Sequence, residues 1–170
     1  MAGKNAKRVD RAGILILGMH RSGTSSITRA FNLLGAEVGD RLIPGSQFNR
    51  QGYWENPDIV DLNEKALAAF HRAWHDPRPL AEAWEDGQLG RELEQDATRL
   101  LTQAFDQALR WVIKDPRLSI LAPAWVRATR EMGAMPHCVI CVRHPIEVFK
   151  SLSHRDGLAE PHACLVALGY

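Results

Sequence analysis

"ILILGMHRSGTSSITRAFNLLG", residues 14–35, is the stretch on which the fold turns. Ile14 to Leu17 is an unbroken aliphatic run, the pattern of a parallel strand buried on both faces. A loop holding Gly18 and Gly23 follows. Ser25 to Leu34 then predicts a helix, with Ile27, Ala30, Phe31 and Leu34 at helical spacing and Gly35 as its stop signal. A loop that leaves a strand's C-terminal end and opens into a helix aims several backbone N–H groups at one point. The helix dipole adds about half a positive charge there. Glycines let the backbone approach an anion closely. Ser22, Thr24, Ser25 and Ser26 add hydroxyls, and Arg21 adds a permanent cation.

The same residues also suit a serine-rich helix cap with no ligand. The strand before, the helix after and the arginine between favour an anion site. Gly18 and Gly23 have the separation of the ATP-binding pattern G-x-x-x-x-G-K-[ST], but Thr24 stands where that pattern has lysine. Without the ammonium, a triphosphate with magnesium loses its main electrostatic partner. A less highly charged ligand suits the loop better.

Outward from this segment, strands and helices alternate. Gly39–Tyr53 is rich in Gly, Pro, Asn and Gln and predicts a long loop. Asn56-Pro57 predicts an N-cap with proline at the first helical position. The helix runs to about Phe70, with Ile59, Leu62, Ala66 and Phe70 on one face. Leu89–Leu109 predicts a long amphipathic helix along Leu93, Ala97, Leu100, Ala104 and Ala108. Trp111–Lys114 is a short strand, and Ser119–Met132 a helix with Pro123 in its first turn. His137–Val142 is a buried strand, and a further helix begins at Pro145. This order predicts a three-layer α/β fold with a mostly parallel sheet. Residues 1–11 are expected to form a loose tail, and 12–170 the domain.

Composition narrows the possibilities. A chain of 170 residues, 45% hydrophobic and 24% charged, is long enough for one domain with a real core. Its formal net charge of +1 lacks the basic excess of a general nucleic-acid binder. No apolar run is long enough for a membrane span, and no secretory cleavage pattern follows the polar N-terminus. Cys138 and Cys141 form a C-x-x-C, but inside an apolar run where they face opposite ways. The expectation is buried, reduced thiols and a cytoplasmic protein.

"GMHRSGTSSITRAF", residues 18–31, resembles the 5′-phosphosulfate loop of sulfotransferases that use 3′-phosphoadenosine 5′-phosphosulfate (PAPS). Arg21 matches the basic residue before S-G-T in the bacterial variant of that loop. "ICVRHPIEVFKSL", residues 140–152, resembles the family's second signature, in which an arginine and a serine hold the donor's 3′-phosphate; here these are Arg143 and Ser151. "QGYWENPDIVDLNEKAL", residues 51–67, and "WVIKDPRLSI", residues 111–120, resemble two further stretches of bacterial members. The four lie in the family's order.

The resemblance implies a P-loop nucleotide-hydrolase-like fold and transfer of a sulfuryl group to a hydroxyl or amine. The acceptor would be a small molecule, a carbohydrate or a lipid. Arg21, Ser22, Gly23, Thr24, Ser25, Arg143 and Ser151 would hold PAPS, and no metal is expected. Arg21 would stabilise charge, because a guanidinium almost never gives up its proton. Lys114 and Arg117, which follow a strand, are candidates to supply positive charge near the sulfuryl group, Lys114 as a catalytic residue. Glu55, read as an exposed carboxylate before a helix, is the candidate base, with His20 as the alternative. Asp115 is expected to pair with Lys114 or Arg117. Read instead as a magnesium carboxylate after a strand, it supports a P-loop kinase as the competing function; a non-catalytic, donor-binding fragment is a third. Trp54 and Trp74 are candidates to shape an acceptor pocket or to fill the core. The remaining histidines lack metal-ligand spacing. The family pattern continues beyond Arg143 and Ser151 into a late basic loop. The expectation is therefore a domain incomplete at its C-terminus, with an apolar helix near Leu165 and Leu168 available for self-association.

Overall fold

The structure is a computed structural model that describes residues 11–47 and 49–168. Residues 1–10 of the predicted tail lie outside that range. Arg11, the last residue assigned to the tail, instead opens the first strand, β1 (Arg11–Leu17). Its guanidinium donates to the carbonyls of Phe105, Ala108 and Met132 at 2.6, 3.1 and 3.2 Å. These carbonyls lie at or just beyond the C-terminal ends of two helices, where a cation satisfies orphan acceptors.

Among the described residues the fold is α/β, with a small open parallel sheet and six α-helices. β1 lies between β2 (Arg110–Lys114) and β3 (Ala134–Ile140). Leu15 pairs in register with Ile113 on one side and Cys138 on the other. The helices are α1 (Thr24–Leu33), α2 (Pro57–Ala69), α3 (Gln88–Phe105), α4 (Leu118–Glu131), α5 (Pro145–Asp156) and α6 (Glu160–Leu168). Alternation along β1 sends Leu15 and Leu17 into a large cluster with α3 and α4, and Ile14 and Ile16 into a smaller one with Phe31 of α1. Trp111, fully buried, stacks on Phe105 with ring centroids 5.1 Å apart. None of the described helices is long and apolar enough to cross a membrane.

Several local expectations change. Pro123 sits in the second turn of α4, not the first, and the helix continues through it. α3 ends at Phe105, and its buried line is Leu93, Ala97, Leu101 and Phe105, stepping by four; Ala108 is buried beyond the helix. In α1 the buried residues are Thr24 and Thr28, while Ile27 and Leu34 of the predicted apolar stripe are exposed. Three of the stripe's four positions, Ile27, Ala30 and Leu34, are in solvent, and Phe31 alone packs, against the smaller cluster. β3 is an edge strand rather than a buried one, with Cys138 and Ile140 exposed. The expectation of a buried thiol pair is thus wrong for Cys138; Cys141 is buried. In α6, Ala163 and Val166 pack on Met19, Val148 and Leu152, while Leu165 and Leu168 are exposed.

Candidate functional site

The loop after β1 is tight because its first residue has no side chain. Gly18 has φ +134°, and a Cβ there would lie 2.7 Å from the Cys141 carbonyl oxygen and 2.8 Å from Ser22 Oγ. Its N–H donates to Ser119 Oγ of α4 at 2.7 Å, which ties the loop to the next crossover. Ser22 closes the turn, its hydroxyl and N–H both donating to the Met19 carbonyl. Arg21 takes a left-handed φ of +69°. Gly23 caps α1 at φ +94°, with open space where a Cβ would stand. The N–H groups of Gly23, Thr24 and Ser25 find no acceptor among the described residues. Orphan donors of this kind are the physical basis of anion binding at a helix start.

The second strand–helix junction meets the first. Cys141 N–H donates to the Leu17 carbonyl at 2.9 Å, which sets the ends of β1 and β3 side by side. Arg143 then reaches the loop, its Nη1 donating to the Arg21 carbonyl at 3.0 Å. Pro145 starts α5, and His144 caps it by accepting from Ile146 N–H. Ser151, in the second turn of α5, accepts from Arg21 Nε at 2.7 Å. One turn further along the same helix face stands Arg155, paired with Asp156 at 2.7 Å.

The third contribution comes from the end of β2. Lys114 is 4% exposed; its ammonium is paired with Glu55 and also donates to the Tyr53 carbonyl at 3.3 Å. Glu55 is therefore buried, at 7% exposed, and not the open carboxylate expected of a loop residue. Asn56 caps α2 from the Asp58 N–H and Ile43 N–H binds the Glu55 carbonyl, so the backbone turns this side chain inward. Burial pushes the Glu55 carboxyl up from its usual range, and Lys114 opposes that rise. Ser25 Oγ donates to the Tyr53 carbonyl at 3.1 Å and accepts from Asn49, which pins the long loop to α1.

Asp115 is fully buried and committed elsewhere. One oxygen accepts from Asn63 Nδ2 at 2.7 Å, the other from Arg117 Nη1 at 2.8 Å. Trp125 Nε1 completes the chain by donating to Asn63 Oδ1, and Arg117 also binds Glu64. Asp115 pairs with Arg117, the partner it was expected to take along with Lys114 as the alternative. Arg117 is drawn into this network and does not line the cavity, so of the two cations after the strand only Lys114 reaches it.

These elements enclose a polar cavity of about 230 Å³. Arg21, Gly23, Thr24, Ser25, Glu55, Lys114 and Arg143 all line it. Ser22 and Ser151 are not in its wall but hold the loop and the Arg21 guanidinium from behind. Among the described residues that line it, four cations, Arg21, Lys114, Arg143 and Arg155, accompany one carboxylate, Glu55. His20 also lines the cavity, with its Nε2 buried and unpartnered and its ring edge-on to Trp74 at 4.7 Å. Burial, then Arg155, Arg117, Lys114 and Arg21, holds its pKa well below the ordinary value, so the imidazole is neutral near pH 7.

Sequence reasoning missed Asn49, Tyr53 and Arg155. Arg155 was within reach of the same argument that found Ser151, four residues earlier on one helix face; Asn49 and Tyr53 lie in irregular backbone, which carries no periodic signal. Trp54 lines a separate groove with Leu42 and Pro44, and Trp74, partly buried, packs against both the large cluster and the one formed by Met19, α5 and α6. Among the described residues, no group of three His, Cys, Asp or Glu side chains is arranged to hold a metal ion. Comparison of the chain with protein-family models, with curated proteins and with solved structures finds no match.

Proposed function

We propose that this chain is a PAPS-dependent sulfotransferase built on a P-loop-type fold, moving a sulfuryl group to a hydroxyl or amine of a small molecule, carbohydrate or lipid. The observation that carries the reading is the meeting of two segments more than a hundred residues apart. Arg143 and Ser151 both hydrogen-bond Arg21 of the glycine loop. The two stretches that resemble the donor-binding signatures thus line or support one cavity. The excess of cations over carboxylates there, and the acceptorless N–H groups at the start of α1, fit a compact polyanion.

In the reaction the acceptor oxygen or nitrogen attacks sulfur as the bond from sulfur to the bridging phosphate oxygen breaks. Adenosine 3′,5′-bisphosphate leaves with that electron pair. Arg21, Lys114 and the first-turn N–H groups stabilise charge on the equatorial and leaving oxygens. Glu55, at the cavity wall, receives the acceptor's proton. Arg143 and Ser151 serve the 3′-phosphate end, Ser151 also orienting Arg21. A kinase reading draws less support, because Thr24 supplies no ammonium and both oxygens of Asp115 are engaged.

The test is calorimetric titration with adenosine 3′,5′-bisphosphate in the absence of magnesium, beside Mg-ATP. Binding of the bisphosphate, weakened by Arg143→Ala and by Arg21→Ala, is the expected result. Tight Mg-ATP binding with γ-phosphate transfer, and none of the bisphosphate, would overturn it.

A further inference from the structure

The cavity wall carries an ion pair whose partners depend on what fills the cavity. Lys114 and Glu55 both line it, with side chains 4% and 10% exposed. The ammonium has three protons, and two of its directions are taken by the Glu55 carboxylate and the Tyr53 carbonyl. Among the described residues Lys114 is the sole hydrogen-bond partner of that carboxylate. The other charged groups acting on Glu55 are Asp115 and Arg117, which follow β2. Arg21, Arg143 and Arg155 face it across the cavity, with the neutral His20. Asp115 and Arg117 are locked in their own network. Among the described residues, Lys114 is the one cation that both pairs with the carboxylate and lines the cavity.

Resting on the donor reading above, we propose that an anion bound in this cavity draws the Lys114 ammonium away from Glu55 and so readies Glu55 to accept a proton. A lysine head on a four-carbon stem can turn toward a phosphate or sulfate oxygen without backbone movement. The carboxylate left behind is buried and has lost its compensating charge, and both changes favour its protonated form. In the free protein the pair is closed, and Glu55 is a poor base. With donor in place, the proton of the acceptor O–H or N–H passes to the Glu55 oxygen as the new bond to sulfur forms. Lys114 is then on the anion, where charge develops. One side chain thus couples donor occupancy to base strength.

The test counts protons. Adenosine 3′,5′-bisphosphate is titrated into the protein by calorimetry in buffers of different ionisation enthalpy, between about pH 5 and 7, above the ordinary carboxylate range. The wild type is expected to take up a proton fraction that Glu55→Gln does not. The ratio of wild-type to Glu55→Gln affinity, in which the ligand's own phosphate ionisations cancel, should rise as pH falls, by up to about tenfold per unit, the slope of one linked proton. Glu55→Gln leaves an unpaired ammonium in the interior. The double variant Lys114→Met with Glu55→Gln removes both charges and is expected to lose the same uptake. Proton uptake by the wild type no greater than that of Glu55→Gln overturns the coupling and leaves the donor reading standing. Uptake that persists in both variants and disappears in His20→Gln assigns it to the imidazole and overturns the proposal. Failure of the wild type to bind the bisphosphate overturns both.

Discussion

Arg21 Nε donates a 2.7 Å hydrogen bond to the hydroxyl of Ser151, 130 residues further along the chain. Arg143 Nη1, in turn, holds the carbonyl of the same arginine. The loop after β1 and the junction after β3 are therefore one structural unit. Arg21 is oriented by α5 as much as by its own loop. Burial, then the neighbouring Arg155, lowers its pKa somewhat, without threatening a charge of that strength near neutrality.

That coupling predicts graded losses of donor binding. Ser151→Ala removes one oriented hydrogen bond and should weaken adenosine 3′,5′-bisphosphate by about three- to tenfold, a typical net value for such a bond. Arg143→Ala removes a charge as well and should cost about tenfold to a hundredfold. Calorimetry on both variants checks the order. Equal, negligible effects would separate α5 from the ligand.

His20 makes stability sensitive to acid. Its folded pKa lies well below the ordinary 6.5, through burial first and then the surrounding cations. As pH falls below that ordinary value, the unfolded chain takes up a proton that the folded chain refuses. Stability is therefore present above about pH 6.5 and lost progressively below it. Urea unfolding from pH 7.5 down to about 5.5 should show a falling midpoint. His20→Gln should flatten that part of the fall.

Asp115 should be among the least replaceable polar residues. Asp115→Ala strips Arg117 and Asn63 of their shared acceptor in the interior. Removing one member of a buried charge pair costs about 3–5 kcal/mol. The expected outcome is a large drop in urea midpoint or failure to accumulate folded protein. Asn63→Ala, which also orphans Trp125 Nε1, should cost less, about 1–3 kcal/mol.

Gly13 should tolerate no side chain. A Cβ there would stand 2.3 Å from Trp111 Cζ2 and 2.8 Å from Thr129 Cγ2, both on buried residues. Trp111 is stacked on Phe105 and cannot swing clear. Gly13→Ala should destabilise by about 1–3 kcal/mol through overpacking. Unchanged thermal stability would mean that β1 and Trp111 can separate.

Strand, loop and helix around residues 14–35 were legible because each rests on a local rule: an aliphatic run, glycine spacing and helical periodicity. Asn56-Pro57 and Pro145 marked two helix starts for the same kind of reason, a side-chain acceptor or a fixed φ. The alternation of elements sufficed for the α/β class and for a parallel sheet. Only the tertiary structure decided that β3 is an edge, that α1 buries threonines rather than Ile27, and that Glu55 is enclosed with Lys114. It also decided that Arg155 joins the cavity and Arg117 does not. Periodicity says which side of an element is apolar, but not how much of that side finds a neighbour. Whether a charged side chain ends in solvent, in a pair or at a cavity is set by groups far away in the chain, through distances that no local pattern contains.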